Sequence, residues 1–169
     1  MIDRHLGQNG GMDIVYCPIG VVHSPFTSSE GTPIQPSRGK GARARVEIFA
    51  EFAEGLADLD GFSHVILLCH LHRAKPPRLR VVPYLDTELR GVFATRAPSR
   101  PNPIGLSVVR LLSVEDRTLH IEDVDLLDGT PVLDLTPFVD DFDDRADARF
   151  GWLEDARQRA ATADDRFER

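Results

Sequence analysis

Residues 94–107, with the sequence ATRAPSRPNPIGLS, constrain the fold of this chain more than any other stretch. The run holds three prolines and two arginines. Proline fixes φ and lacks an N–H, and the residue before each proline is driven to extended geometry. Its residues 99–103, SRPNP, can therefore form neither a helix nor a central strand. It predicts a stiff, extended loop with free carbonyls and with Arg96 and Arg100 held in place, as a preorganised site requires.

The rest of the chain consists of short apolar runs separated by long loops rich in Pro, Gly and Ser, a pattern typical of a β protein. The expected strands are Tyr16–His23, Arg43–Phe49, Phe62–His72, Ile104–Val114, Thr118–Leu127 and Val132–Leu135. Asp128-Gly129 predicts a hairpin between the last two. Strands and helices do not alternate regularly, so the fold class predicted is mainly β: a small antiparallel β-barrel with long Pro/Gly loops and a short C-terminal helix.

Three segments follow from this pattern. Residues 1–12 are rich in turn formers and are expected to be a flexible leader, and residues 13–139 form the barrel domain. Residues 140–169 form an acidic tail, in which a short helix over 151–161 is docked by Trp152 and Leu153.

Charge is distributed unevenly along the chain. Residues 1–110 hold 13 basic and 10 acidic residues, a net charge of +3, whereas residues 111–169 hold seven and 17, a net charge of −10. The total of −7 therefore leaves room for a basic face that could bind nucleic acid. Two cysteines give no disulfide framework, and no apolar run reaches membrane-spanning length. Both observations favour a cytoplasmic protein that does not enter a membrane.

Histidines in the central strand are the first candidates for chemistry. Strand alternation places His64, His70 and His72 on one face and Cys69 on the other. Cys69 then points away from the histidines, and no second Cys/His cluster has zinc-like spacing, so no metal site is expected. His72, at the strand end, is the histidine expected to line a pocket.

No motif for a nucleophile elbow or a phosphate-binding loop is present, and Ser107 is expected to be structural. Arginines in loops are better candidates, because a planar guanidinium binds carboxylate or phosphate. Asp123 and Asp125 fall on one face of a predicted strand, where they could surround the ribose, amine or cation of a ligand. Asp128 is expected to be only a turn residue.

Five blocks of sequence resemble a known family. They are residues 19–26, IGVVHSPF; 33–36, PIQP; 61–64, GFSH; 91–96 and 99–107, GVFATR and SRPNPIGLS; and 125–134, DLLDGTPVLD. In this order they resemble the TsaA/TrmO-like family of S-adenosylmethionine-dependent tRNA methyltransferases, over about residues 14–139. The resemblance implies a homodimeric β-barrel without a Rossmann sheet. It also implies methylation of the exocyclic N6 amine of threonylcarbamoyl-adenosine at position 37, in the tRNA anticodon loop.

The resemblance also implies site residues. Those expected to contact S-adenosylmethionine are Pro33, Ile34, Gln35, His72, Arg73, Arg96, Leu106, Glu122, Asp123, Val124 and Asp125. Residues expected to hold the phosphates or the threonyl carboxylate of the substrate are Arg100, Asn102, Arg38 and Arg78. The proton acceptor is Asp125, His72 or solvent. Two other readings stay open: the same barrel acting on another RNA or a small molecule, and a non-catalytic module that binds S-adenosylmethionine or RNA.

Overall fold

The computed structural model describes residues 14–28, 32–33 and 41–154. The predicted leader over 1–12 and most of the predicted helix over 151–161 lie outside this range. Within it, Gly151–Leu153 form a 3₁₀ turn, and the short helix near the C-terminus, α1, spans Asp140–Asp143.

Eight strands and four 3₁₀ turns make up the rest of the described structure. The strands are β1 (Gly20–His23), β2 (Arg43–Ile48), β3 (His64–His70), β4 (Arg80–Val81), β5 (Arg90–Gly91), β6 (Ile104–Glu115), β7 (Thr118–Glu122) and β8 (Pro131–Pro137). The 3₁₀ turns are Ala50–Leu56, Leu59–Gly61, Val92–Ala94 and Gly151–Leu153.

Six strands close into an antiparallel barrel in the order β1-β2-β7-β6-β3-β8, and β4 and β5 form a separate two-stranded ribbon. The predicted small antiparallel barrel is confirmed. Its core follows the period of two that the sequence shows. On β3, Val65, Leu67 and Cys69 are fully buried, whereas His64 and His70 face outward. Burial also raises the pKa of the Cys69 thiol to about 12, which makes it an inert core residue.

The predicted hairpin between the last two strands is wrong. The Asp128-Gly129 turn exists, with Gly129 at φ +76°, but β8 pairs with β1 and β3, and β7 pairs with β2 and β6. The reason lies at Asp123, whose left-handed φ of 65° ends β7 after Glu122. Residues 123–130 then cross the barrel end, where Gly129 N–H donates to the Val22 carbonyl.

The same backbone reversal corrects a second expectation. Asp123 and Asp125 do not share a face of a strand, because both lie beyond its end. The Asp123 carboxylate instead accepts a hydrogen bond from Gly41 N–H at 2.8 Å. Asp125, two residues further on, lies instead beside Ser107 of β6.

Residues 151–153 dock against the ribbon through their tryptophan. The indole Nε1–H of Trp152 donates to the Ala94 carbonyl at 2.8 Å, and the Arg90 guanidinium lies 5.8 Å from the indole ring centre. Trp152 thus contacts the rest of the fold, whereas the helix that it and Leu153 are expected to dock stays a prediction. Trp152 connects the C-terminal segment to the 3₁₀ turn that precedes the proline-rich loop.

Candidate functional site

A pocket of about 370 Å³ opens at one end of the barrel. Three segments that are distant in the sequence form its wall. They are the turn after β3, the proline-rich loop with the start of β6, and the part of the crossing segment from Asp125 onward. Thr32, Pro33 and Tyr84 complete the lining. This volume falls within the range of small-molecule sites in proteins.

Asp125 and Ser107 form a hydrogen-bonded pair on the wall of the pocket. Ser107 lies on the inward face of β6 and is 3% exposed, and its Oγ–H donates to Asp125 Oδ1 at 2.6 Å. Burial raises the pKa of Asp125 to about 6, although the Ser107 hydrogen bond and the charge of Arg96 oppose this rise. A carboxylate that titrates this close to neutrality marks a candidate functional group.

Arg96 supplies positive charge to the same pocket. It is exposed, lines the cavity, and lowers the pKa of Asp125 by its charge. The backbone of its loop is fixed at two points: the Pro103 carbonyl accepts from Leu71 N–H at 2.7 Å, and the Ser99 carbonyl accepts from Arg78 N–H at 3.0 Å. The expectation of free carbonyls is therefore wrong, since the carbonyls of Ala94, Thr95, Pro98 and Asn102 also accept hydrogen bonds. The loop is fixed all the same.

Arg100 braces the loop from within. Its Nη1 donates to the carbonyls of Val92 at 3.1 Å and Thr95 at 2.8 Å, and its Cζ lies 5.8 Å from the Phe93 ring centre. Arg100 also lines the pocket. Its predicted contact with substrate stays a prediction.

The turn after β3 brings His72 and Arg73 into the lining of the pocket. The pKa of His72 is lowered, chiefly by burial and further by Arg73 and His70, which favours the neutral imidazole. Arg73 Nη1 donates to the Thr27 carbonyl and so ties this turn to the segment after β1.

The pocket brings together six of the predicted site residues that the structure describes, with Arg100 from the predicted substrate set. The six are Pro33, His72, Arg73, Arg96, Leu106 and Asp125.

The other predicted residues lie elsewhere or outside the described range. Glu122 forms an ion pair with Arg43 at 3.3 Å, and Val124 is fully buried in the barrel core. Asp123 binds Gly41, and Asn102 and Arg78 are exposed away from the lining. Ile34, Gln35 and Arg38 lie outside the described residues. Roles for all of these stay predictions.

Ser107 and Tyr84 also line the pocket, and neither is predicted from the sequence as a pocket residue. A signal for Ser107 was available, since a hydroxyl among the inward-facing positions of an apolar strand needs a polar partner. No comparable pattern pointed to Tyr84.

Within residues 14–28, 32–33 and 41–154, no group of three or more His, Cys, Asp or Glu side chains is placed to hold a metal ion. No helix in the same ranges has the length and apolar character needed to cross a membrane.

Comparison with known proteins places the chain in a family. Residues 21–144 match the family model of the tRNA-methyltransferase O N-terminal domain. The chain belongs to the tRNA-methyltransferase O (TrmO) family. This confirms the family to which the sequence blocks pointed.

The relatives of this TrmO-family chain are named for S-adenosylmethionine binding or for methyl transfer. A probable S-adenosyl-L-methionine-binding protein of Pyrococcus abyssi is 56% identical over 83% of this chain and 77% of its own length. A putative S-adenosylmethionine-dependent methyltransferase of Pseudomonas aeruginosa is 43% identical over 85% and 70% of the two chains. The mouse tRNA (adenine(37)-N6)-methyltransferase is 40% identical over 75% of this chain, and the match covers 31% of the mouse protein.

A solved structure shares the fold. The crystal structure of TrmO from Pseudomonas aeruginosa superposes with a TM-score of 0.71 at 42% identity, over 83% of this chain and 63% of that one. This TrmO-family chain thus spans less than two thirds of the solved relative.

Proposed function

We propose that this chain transfers a methyl group from S-adenosylmethionine to the exocyclic N6 amine of threonylcarbamoyl-adenosine at position 37 of tRNA. The single observation that carries the proposal is the pocket in which Arg96 and the Asp125–Ser107 pair meet, in a chain of the TrmO family. The names of the mouse and Pseudomonas relatives support the donor and the target amine.

The residues of the pocket fit the donor. S-adenosylmethionine carries a carboxylate, an ammonium and a ribose, with apolar surface between them. Arg73 and Arg96 suit the carboxylate, Asp125 suits the ammonium or the ribose hydroxyls, and Leu106 supplies an apolar wall. Pro33 and His72 would complete the site with the predicted Ile34 and Gln35. The bound donor would supply an electrophilic methyl group on a sulfonium.

The chain's own contribution to methyl transfer is position and charge. An in-line displacement needs the amine and the methyl group to be aligned, so a wall fixed through Pro103 and Ser99 lowers the cost of alignment. The amine loses a proton during the reaction. Asp125, whose pKa is about 6, is largely ionised at neutral pH, and His72 is largely neutral, so either can accept that proton.

Exposed basic residues beside the pocket suit the RNA backbone. Lys75 and Arg78 lie on the loop that follows the His72 turn, and the backbone of Arg78 is bonded to the proline-rich loop. An anticodon-loop base is single-stranded and can enter a pocket at little unpairing cost. Arg100, Asn102, Arg38 and Arg78 are the residues we assign to substrate.

A labelled methyl-donor assay tests the proposal. The substrates are tRNA with and without the threonylcarbamoyl group, and we expect transfer to the modified tRNA only. Transfer only to another RNA or to a small molecule would replace the target and keep the chemistry. Donor binding without transfer to any acceptor would favour a non-catalytic binding module.

Substitution of Arg96 separates the site from the rest of the surface. Arg96→Ala should abolish transfer, since Arg96 is assigned both to the donor and to the field around Asp125. The matched control is Arg110→Ala, which removes an exposed arginine on β6 away from the pocket and should leave the rate unchanged. An unchanged rate in Arg96→Ala would contradict its role.

The family resemblance further supports a homodimer that acts in the cytoplasm. The apolar side chains of Leu79, Leu89 and Phe93 are exposed beside the β4–β5 ribbon, and a second copy would cover such a surface. Sedimentation at several protein concentrations tests the dimer: a mass of one chain at all of them would contradict it.

A further inference from the structure

We infer that Trp152 is a positioning residue that holds the Thr95–Arg96 wall of the pocket. The inference rests on the proposed function for its effect on the donor, but the contact itself can be tested without any ligand. Its basis is the hydrogen bond from Trp152 Nε1 to the Ala94 carbonyl at 2.8 Å, one residue before the pocket lining begins at Thr95.

The turn that carries this wall is held by its carbonyl groups. Val92 and Thr95 both present their carbonyls to the Arg100 guanidinium, at 3.1 and 2.8 Å. The Ala94 carbonyl between them accepts from Trp152. Arg100 belongs to the loop itself, whereas Trp152 lies 58 residues beyond Ala94 along the chain. Trp152 therefore anchors the turn to a separate segment.

Trp152 is itself fixed on its far side. The Arg90 guanidinium lies 5.8 Å from the centre of the indole ring, within the range of a cation–π contact. Arg90 is held in turn by Asp86 at 2.8 Å and Glu88 at 3.1 Å. The indole is thus held at both its ring and its N–H, so it can transmit position to Ala94.

The consequence for the pocket follows from where the turn ends. Thr95 closes the turn through its N–H and Oγ, both donating to the Val92 carbonyl, and Ala97 N–H donates to Thr95 Oγ. Arg96 is held between these two residues. Loss of the hydrogen bond to the Ala94 carbonyl would weaken the support of Arg96. Coupling between two binding events is reciprocal, so if the docking of Trp152 strengthens donor binding, bound donor must strengthen the docking of Trp152 by the same factor.

Hydrogen exchange of residues 92–100 tests the contact with no ligand present. In Trp152→Phe, which keeps a ring over Arg90 but lacks the N–H, and in Trp152→Ala, we expect faster exchange of the Thr95 and Ala97 amides than in the unaltered chain. Phe142→Ala is the matched control, because Phe142 lies in the same C-terminal region and is 70% exposed. Equal exchange in the unaltered chain and both Trp152 variants would overturn the inference.

Donor affinity tests the effect on the site. We expect Trp152→Phe and Trp152→Ala to weaken S-adenosylmethionine binding by about fivefold, measured by calorimetry, with the Phe142→Ala control unchanged. Faster exchange with unchanged affinity would show a structural contact only and would overturn the positioning role. If the unaltered chain binds no donor, the proposed function fails, and the exchange result still decides whether Trp152 holds the turn.

Tryptophan fluorescence tests the coupling between donor binding and the docking of Trp152. Trp152 is the one tryptophan of the 169-residue chain, so tryptophan emission reports this contact alone. Saturating S-adenosylmethionine should shift the emission and reduce its quenching by iodide. Donor binding that leaves both the emission and the quenching unchanged would contradict the reciprocal coupling.

Discussion

At the scale of single residues, Asp125 combines a cost in stability with a proposed role as a proton acceptor. Its folded-state pKa of about 6 lies above its ordinary value of 3.8, because burial disfavours the charged form. The folded chain therefore holds a proton that the unfolded chain releases between these two pH values. The free energy of unfolding should fall as the pH rises through this window, and the loss is complete at neutral pH.

Asp125→Asn should remove that loss. The amide oxygen can still accept the Ser107 hydrogen bond, so we expect the variant to be more stable at pH 7 by about 3 kcal/mol and to lose most of its methyl-transfer activity. Urea unfolding between pH 4 and pH 7.5 measures the effect. Asp60→Asn, at an exposed position in the Leu59–Gly61 turn, is the control. A stability gain that does not grow with pH would contradict this account.

Ser107→Ala should move the pH dependence of the reaction. Loss of the O–H donor removes a contribution that lowers the pKa of Asp125, so that pKa rises further above 6. If the ionised carboxylate accepts the proton, the acid limb of the rate profile shifts to higher pH by about one unit. Ser113→Ala, on the same strand, should leave the profile in place. An unmoved acid limb in Ser107→Ala would favour His72 or solvent as the acceptor.

Some residues of the pocket could be anticipated from the sequence and others could not. Arg96 stood out because prolines fix its loop, and His72 because it follows the most regular strand. For Ser107 the sequence predicts only a structural role, because a serine within a strand is usually structural. Its partner Asp125 is 18 residues away and meets it only after Asp123 reverses the backbone. A left-handed φ at an aspartate does not change the pattern of apolar and polar residues, so the sequence does not predict where the backbone reverses.

At the scale of elements, strand alternation was predictable and strand pairing was not. The inward and outward residues of β3 follow from the period of two alone. The two-residue strands β4 and β5 are too short to show any period. Asp128-Gly129 does form a turn, but local turn chemistry cannot reveal that β7 ends six residues before it.

Close contact between β1 and β2 makes Gly20 a test of barrel closure. A Cβ at this position would lie 2.4 Å from the Glu47 carbonyl oxygen and 3.1 Å from Ile48 Cα, both backbone atoms that cannot move without disturbing the pairing. Gly20→Ala should therefore destabilise the fold by about 1–3 kcal/mol in urea unfolding.

The control for Gly20→Ala is Gly55→Ala. An added Cβ at Gly55 meets nothing within 4 Å, so this variant should unfold as the unaltered chain does. Equal stability of the two variants would show that β1 can separate from β2 without cost.

At the scale of the whole molecule, the net charge of −7 conceals a basic region around the pocket. Each phosphate neutralised by a cation releases condensed counterions, so the logarithm of tRNA affinity should fall with the logarithm of salt concentration. Arg78→Gln should reduce that slope by about one unit and weaken binding to all tRNA sequences alike.

Arg110→Gln serves as the control for Arg78→Gln. It carries the same change of charge on an exposed β6 position outside the pocket lining, and it should leave the slope unchanged. Equal slopes in all three proteins would place the phosphates elsewhere on the surface.

Closure of the barrel by β1 and β8 has a consequence for biosynthesis. Gly20 pairs with Val132, so two parts of the chain 112 residues apart must meet before the ring of strands is complete. A nascent chain that has not yet released Pro131–Pro137 from the ribosome has neither the β1–β8 nor the β3–β8 pairing. The barrel therefore closes only after β8 has left the ribosome, and a chain stalled before that point exposes strand edges that chaperones would have to cover.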